Sequence, residues 1–413
     1  MHAVSPVVLS DARIIAAYLI FFGSYFVFAL GKFPGMKIDR PGAAIIGAVL
    51  MFALRIVGPR DAVASIDFPT LVLLFSMMLI VANLHLAGFF DWLTEWIIER
   101  LKPHHLLPTV IFTSGLLSAF LVNDIICLMM TPFVLRITRR LGLMPIPYLL
   151  AIATASNIGS VATITGNPQN MLIGSVSGIS YLDFIAHLAP VALLSLFVDW
   201  ALIHWMFLRG GLDRVEATVV GSGHRGFGKK PIVVLALVLL GFFAGAPPAM
   251  VAAIGAALLL ITRSVEPRKV YDEIDWGLLV FFLGLFMIVG GAERAGLTQT
   301  LLRPMTVWNL HRIPSFVAVT VVLSNIVSNV PAVMLLKSLV AGFPNPHTGW
   351  LALAMASTLA GNLTITGSIA NIIVVEGARA EGVHVGFREY FRLGAPVTVA
   401  TLVIGSVWLW AVR

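Results

Sequence analysis

The order of apolar and polar positions along the chain predicts helices of membrane length. A helix needs roughly 20 apolar residues to cross a bilayer, and ten segments approach or exceed that: 13–30, 41–58, 70–87, 148–178, 184–208, 231–246, 249–263, 277–292, 349–377 and 394–412. Two further apolar stretches, 107–135 and 316–341, are interrupted near the middle, by Asn123-Asp124 and by Ser324-Asn325 with Ser328-Asn329. Each reads as a re-entrant hairpin that enters and leaves the membrane on one side.

Composition narrows the class. Of 413 residues, 59% are hydrophobic and 11% charged, with a mean hydropathy of +0.96; soluble proteins carry about 25% charged residues. So much apolar surface must face lipid, which excludes a soluble enzyme. One cysteine, Cys127, excludes a disulfide framework and a thiolate metal site. The net charge of +7 comes without a basic run interleaved with aromatics, so nucleic acid is not an expected partner. Instead the basic residues sort by loop. With the hairpins counted as non-crossing, loops 31–40, 88–106, 136–142, 209–230, 262–275 and 378–393 share one side and hold most of the 27 Lys and Arg. That side reads as the cytoplasm, which places both termini in the periplasm of a bacterial inner membrane. The run 13–30 is followed by Gly31-Lys32-Phe33-Pro34, without a small-x-small cleavage pattern, and is read as the first span.

The chain aligns with itself in three gap-free blocks. Residues 66–89 pair with 274–297, setting Ile66-Asp67-Phe68 on Ile274-Asp275-Trp276 and Ala87-Gly88 on Ala295-Gly296. A second block sets Ser118 on Ser324 and Asn123 on Asn329. The third sets 150–170 on 351–371, with Thr163-Ile164-Thr165-Gly166 on Thr364-Ile365-Thr366-Gly367. Five spans and a hairpin per half make an odd number of crossings, so the second copy must run upside down. The expectation is an all-α polytopic membrane protein with an inverted-topology repeat: about ten transmembrane helices, two re-entrant hairpins and two broken helices. Residues 1–208 form the first repeat, 209–230 a cytoplasmic linker, and 231–413 the second repeat. Inverted repeats are typical of secondary transporters, whose site lies near the midplane where interrupted helices meet.

Polar residues and glycines at membrane depth leave backbone groups that lipid cannot satisfy, so they must be buried or line a cavity. Asn157-Ile158-Gly159-Ser160 and Thr163 to Asn170 are too polar and too rich in Gly and Pro for a lipid-facing helix, and Gly361 to Ser368 repeats the pattern. Free carbonyls at such breaks can coordinate a cation, and helix N-termini can face an anion or a hydroxylated solute. The candidate substrate-binding residues are Ser118, Asn123, Asn157, Thr163, Thr165, Gly166, Asn167, Ser328, Asn329, Asn362, Thr364, Thr366, Gly367 and Ser368. Small and polar residues also let helices pack closely without binding anything, but recurrence in both halves, each after a polar hairpin, favours a transport site.

Asp124 is the sharpest single residue, because an ionised carboxylate at bilayer depth costs on the order of 3 kcal/mol. It either binds Na⁺ or carries a proton, or it sits at a wet hairpin tip and caps the helix that begins at Ile125. With Asn123 and Asn329 it makes the candidate ion-coupling set. Asp199 and His204, within the span 184–208, are candidates for a proton path, but a single interhelical hydrogen bond or an interfacial placement is the favoured reading. His85 and Glu293-Arg294 read as interface positions and a local ion pair, and Asp67 and Asp275 as helix N-caps. Residues 223–230 have the spacing of a nucleotide-binding loop, but Lys230 replaces the required Ser/Thr and Pro231 opens a span. Transport must therefore run on an ion gradient or on a separate ATPase subunit.

At these residues the chain resembles the ion transporter superfamily, which includes divalent-anion:sodium symporters, arsenite/antimonite efflux permeases and a class of sodium/proton antiporters. Val122-Asn123-Asp124 and Ser328-Asn329-Val330 sit where the sodium-coupled symporters carry Ser-Asn-Thr, and each keeps part of that triplet. Asn123-Asp124 with Thr131-Pro132, the tip Ser328-Asn329-Val330-Pro331, and Thr364-Ile365-Thr366-Gly367-Ser368 are similar to the arsenical permease pattern. Gly166-Asn167-Pro168-Gln169-Asn170 is instead similar to the Gly-x-Pro-Pro-Asn loop of the anion symporters. Arsenite at neutral pH is an uncharged triol, suited to a pocket of amides and hydroxyls without arginine, and no Arg or Lys lies within 115–135 or 149–178. The expectation is a secondary active transporter without a cofactor: proton-coupled efflux of arsenite and antimonite, Asp124 handling the proton. The alternatives are a sodium-coupled symporter of a carboxylate or inorganic anion, with Asn123, Asn329 and the broken-loop carbonyls binding Na⁺, or a sodium/proton antiporter. The resemblance implies a small-molecule or ion substrate and leaves a homodimer open.

Overall fold

The structure is a computed structural model that describes residues 9–31, 37–100, 102–209, 228–261, 266–297, 300 and 309–412. Among these residues there is no strand, and the helices form two matching series. The first is α1 (Asp11–Leu30), α2 (Arg40–Ala53), α3 (Phe68–Leu86), the hairpin α4 (Leu106–Phe120) and α5 (Asn123–Leu141), the broken helix α6 (Ile146–Ser160) and α7 (Pro168–Ser177), and α8 (Tyr181–Ile203). The second repeats that order: α9 (Lys230–Phe243), α10 (Pro248–Ile261), α11 (Trp276–Arg294), the hairpin α12 (Ile313–Val327) and α13 (Asn329–Leu336), the broken helix α14 (Pro346–Leu359) and α15 (Ile369–Ala380), and α16 (Phe387–Ala411). Most of the expected linker 209–230, and with it most of the loop-like motif at 223–230, lies outside the described residues.

Local chemistry sets the element ends. Asp39, Asp67 and Asp275 each accept from a backbone N–H three residues on, Gly42, Thr70 and Leu278, at 2.9 Å. Asp67 and Asp275 are thus the N-caps expected of them. Gly31 and Gly142, at φ of 76° and 63°, close α1 and α5 in the left-handed conformation that a residue with Cβ resists.

Five spans are single rods of sufficient length: α1, α3, α11, α16, and α8, which continues as a wider turn to Leu208. The expected spans 41–58 and 231–246 are shorter than hydropathy implied. α2 and α9 have 14 residues each, or about 21 Å at 1.5 Å per residue, against a hydrocarbon core of about 30 Å. The apolar runs continue past the helix ends into tight turns, at Arg55 (φ 54°) and at Gly245 (φ 80°) before Pro247-Pro248. The outer faces of α2, α9 and α10 remain apolar, with Ile45, Val49 and Phe52, Val233, Leu237 and Leu240, and Ile254, Leu258 and Ile261 exposed at helical spacing. The same stripe runs down α1 through Ile15, Leu19, Phe22 and Phe26, and down α16 through Val399, Val403, Val407 and Trp410. An exposed apolar stripe is the lipid-facing signature, and it marks a peripheral ring of helices.

The hairpins and broken helices occupy the interior. Every residue of α6 from Pro147 to Ser160 is buried. Near its C-terminal end Gly159 lies against the backbone of Gly115 in α4, where a Cβ would collide with main-chain atoms.

One packing relation shows the inversion. α2 lies along α11 with Pro41 near Gly277, Ala44 against Gly284, Gly47 against Ile288 and Met51 against Gly291, so the two run in the same direction. α3 follows α2 after one crossing and returns the other way. α11 is the repeat partner of α3 and yet runs with α2, which an upside-down second half requires.

Candidate functional site

The site is assembled from helix starts. The tip of the first hairpin is Leu121-Val122 in extended backbone, so α5 begins at Asn123 and Asp124 stands in its first turn. The tip of the second is one residue, Ser328, at φ 76° and ψ 160°, a region occupied almost only by glycine. In the first broken helix Asn167 caps α7 by accepting from the Asn170 N–H at 2.9 Å, with Pro168 at a position that needs no donor. In the second, Ser368 precedes α15.

All four starts open on one cavity of about 290 Å³. Its wall takes Asn123 and Asp124 from α5, Pro168 and Gln169 from α7, Ser328, Asn329 and Val330 from the second tip, and Ser368 and Ile369 at α15. The starts of α2 (Asp39, Arg40, Pro41) and α11 (Asp275, Gly277, Leu278, with Phe281) complete it. Six helix N-termini therefore border one space, and the N-terminal end of a helix carries a partial positive charge. Asp39 and Asp275 are engaged in capping their own helices. The Arg40 Nε donates to the carbonyl of Phe28 at 3.0 Å. Asp124 faces the backbone N–H of Ala370, in the first turn of α15. It makes no cap at Ile125; the helix starts two residues earlier and has no side-chain capping bond.

A carboxamide network lies directly behind the cavity. Asn157 Oδ1 accepts from Asn123 Nδ2 and Ser368 Oγ, both at 3.1 Å, and its Nδ2 donates to Asn362 and Asn371 Oδ1, both at 2.9 Å. Asn157 thereby uses its full hydrogen-bonding capacity to join the first hairpin to both broken helices.

The structure separates the sequence-predicted residues by their distance from the cavity. Asn123, Asp124, Ser328, Asn329 and Ser368 line the cavity, and Asn157 and Asn362 lie one layer behind it. Gly367, also off the wall, sits against Gly361 and Asn325. Thr163, Thr165, Gly166 and Asn167 are buried in the first break and do not reach the wall: Thr163 donates to Ala119, Thr165 bonds to Tyr181 at 2.8 Å, Gly166 presses on Ser160, and Asn167 donates to Ser160 Oγ at 2.9 Å. Thr364 and Thr366 pair with each other at 3.3 Å on the outer side of the second break, and Ser118 is buried in α4 without a hydrogen-bond partner.

Several expectations are corrected. Two carbonyls of each break are engaged within the protein: Asn170 Nδ2 donates to Ser160 and Thr163 O, and Asn371 Nδ2 to Gly361 and Thr364 O. These two asparagines are repeat partners and close the two loops identically. The pocket is not without arginine, since Arg40 is on its wall. Glu293 and Arg294 do not pair together; Glu293 meets Lys337 at 3.5 Å and Arg294 meets Asp61 at 2.5 Å, because adjacent helical residues point apart. Asp199 makes the single interhelical hydrogen bond expected, from Thr154 at 2.9 Å, and His204 is exposed against Trp200. Sequence reasoning missed Asp39, Arg40, Gln169 and Asp275 as wall residues. Only the Gln169 signal was present, inside the first break.

An inverted repeat whose two hairpin tips and two broken helices enclose one central cavity defines a membrane transporter. Comparison with known proteins places it further. A family model described as citrate transporter (CitMHS) matches residues 25–360. An uncharacterized transporter of Mycobacterium tuberculosis is 32% identical over 403 residues, covering 91% of this chain and 94% of its own. The silicon efflux transporter of Oryza sativa subsp. japonica is 30% identical over 467 residues, covering 93% and 95%. Among solved structures, Neisseria gonorrhoeae MtrF, from a class of antimetabolite efflux pumps, aligns with a TM-score of 0.59 at 11% identity, covering 98% of this chain and 95% of MtrF, a likeness of fold. The chain belongs to the citrate transporter (CitMHS) family, within the ion transporter superfamily: it is a multi-pass membrane transporter and not an enzyme.

Proposed function

We propose that the protein is a proton-coupled carrier that exports uncharged metalloid hydroxides, arsenite and antimonite foremost, across the bacterial inner membrane. The makeup of the cavity carries the reading. Its neutral polar groups are the carboxamides of Asn123, Gln169 and Asn329 and the hydroxyls of Ser328 and Ser368; its charged groups are Asp39, Asp124 and Asp275 against Arg40 alone. An uncharged triol exchanges hydrogen bonds with amides, hydroxyls and helix N-termini at no Coulombic cost. A dianion meets three carboxylates and one guanidinium. The rice relative is named for silicon efflux, and silicon in neutral water is likewise an uncharged hydroxide.

Asp124 handles the proton in this reading because it is the one wall carboxylate not engaged in capping its own helix. The Lys/Arg-bearing loops 31–40 and 262–275 lead into the wall residues of α2 and α11, so the cavity opens to the cytoplasm, where an exporter loads. The termini are then periplasmic.

Arg40 favours a second reading, ion-coupled transport of a carboxylate or inorganic anion, with Na⁺ at Asn123 and Asn329. Asn170 and Asn371 weaken it by occupying two of the carbonyls in each break.

Arsenite accumulation in an arsenite-sensitive bacterium expressing the chain tests the proposal. Accumulation is expected to fall, and to recover when a proton uncoupler is added. Unchanged accumulation with confirmed membrane expression would overturn the metalloid reading and direct attention to sodium-dependent anion uptake.

A further inference from the structure

The site cavity has a neighbour. A second cavity of about 80 Å³ shares Asp124, Asp275 and Leu278 with the first and ends at His85, the last turn of α3, and at Glu273, just before α11. His85 Nδ1 lies 3.4 Å from the Glu273 carboxylate, and both side chains are about a third exposed. Its other walls, including Met78, Val81, Leu128 and Ile373, are apolar. At about 30 Å³ per water, the space holds roughly two or three water molecules.

We propose that Asp124 exchanges its proton with the cytoplasm through this second cavity, by way of Asp275 and water to the His85–Glu273 pair, while the solute uses the larger one. The inference rests on the proton-coupled reading above. The path joins two parts of the molecule: Asp124 is carried by a hairpin, whereas His85 stands in α3 and Glu273 and Asp275 just before α11. An Asp124 that moves with its hairpin leaves the path, so proton release is confined to the inward-open arrangement and the membrane is not short-circuited.

The step is a proton transfer with no other reactant. The Asp124 carboxyl gives up its proton and becomes a carboxylate; the imidazole of His85 takes the proton through Asp275 or water and passes it to Glu273 or bulk water. An imidazole is suited to this because it can take a proton on one ring nitrogen and release one from the other. The charged groups around it fit a path with one exit. On the far side of His85 the Phe90 ring stands at 6.4 Å, and the nearby Asp91 is paired with Arg136 at 3.5 Å. On the linking helix Pro267–Asp272, Lys269 is paired with Glu266 at 3.7 Å, and Asp272 lies at its end. Glu273 is the acid within direct reach of His85.

Arsenite-driven proton flux in proteoliposomes holding the full chain tests this, with added imidazole as the probe. His85→Ala should slow the flux by about a hundredfold or more, and free imidazole should restore it; Glu273→Gln should slow it without responding to imidazole. Wild-type flux in both variants while Asp124→Asn stays uncoupled would overturn the relay and leave the proposed function standing. A His85→Ala loss that imidazole does not restore would assign His85 a structural role and overturn it equally. Full coupling in Asp124→Asn would instead remove the function on which the relay rests. Should His85→Ala fail size-exclusion chromatography, His85→Gln and Glu273→Gln decide the same question.

Discussion

The side-chain amide of Asn157 donates to that of Asn371 at 2.9 Å and so ties the broken helix of the first half to that of the second. Asn157 does this while holding Asn123, Ser368 and Asn362 as well. Truncation to Ala leaves four buried polar groups short of a partner, each worth about 1–3 kcal/mol. The Asn157→Ala protein should unfold at markedly lower temperature in detergent than wild type. An unchanged thermal midpoint would show that the network is dispensable.

Ser328 forms the second hairpin tip alone, in a backbone region that costs a residue with a Cβ roughly 1–3 kcal/mol. Ser328→Gly should therefore raise the thermal midpoint, and Ser328→Val, which adds branching in the same conformation, should lower it. Equal midpoints for the three proteins would contradict the strain.

Arg40 separates the two functional readings. For an uncharged solute it serves the wall through its bond to the Phe28 carbonyl, and Arg40→Gln should change the KM for arsenite by less than about threefold. A buried charge-assisted contact to an anion is worth about 1.5–3 kcal/mol, so a KM rise beyond tenfold in this variant would favour the anion reading.

Gly159 lets α6 touch α4 at Gly115, with no room for one added carbon. Gly159→Ala forces backbone, not a flexible side chain, to move. Overpacking of this kind costs about 1–3 kcal/mol or more, and the variant should be depleted in the membrane relative to wild type by quantitative blotting. Gly23, whose Cβ would meet nothing, is the control: Gly23→Ala should express normally.

Both hairpins and both breaks were legible in the sequence because polar residues at membrane depth are rare enough to stand out. Their position was good to a few residues: Asn123-Asp124 begin α5 rather than interrupting it, and of the four residues marked in the second hairpin only Ser328 is the turn. Span lengths were less legible, since hydropathy counts apolar turn residues such as Ile56-Val57 together with the helix before them. Arg40, Asp39 and Asp275 could not be found, because they stand at span starts that charge patterning assigns to loops. Only the side-by-side packing of α2 with α11, a consequence of inversion, carries them to the hairpin tips. The work of Asn170 and Asn371 had a signal that went unused. They occupy matched positions in the self-alignment, and a residue repeated at both breaks has the same loop to close.

The central claim is that Asp124 couples solute movement to protons, and the most direct measurement compares two modes of arsenite transport in proteoliposomes holding wild type or Asp124→Asn. One mode is exchange of labelled for unlabelled solute without a gradient, the other is accumulation driven by a pH gradient. Asp124→Asn keeps the hairpin start and the cavity shape, so exchange should persist at a rate comparable to wild type while accumulation is lost. Gradient-driven accumulation at the wild-type level in Asp124→Asn would contradict the account.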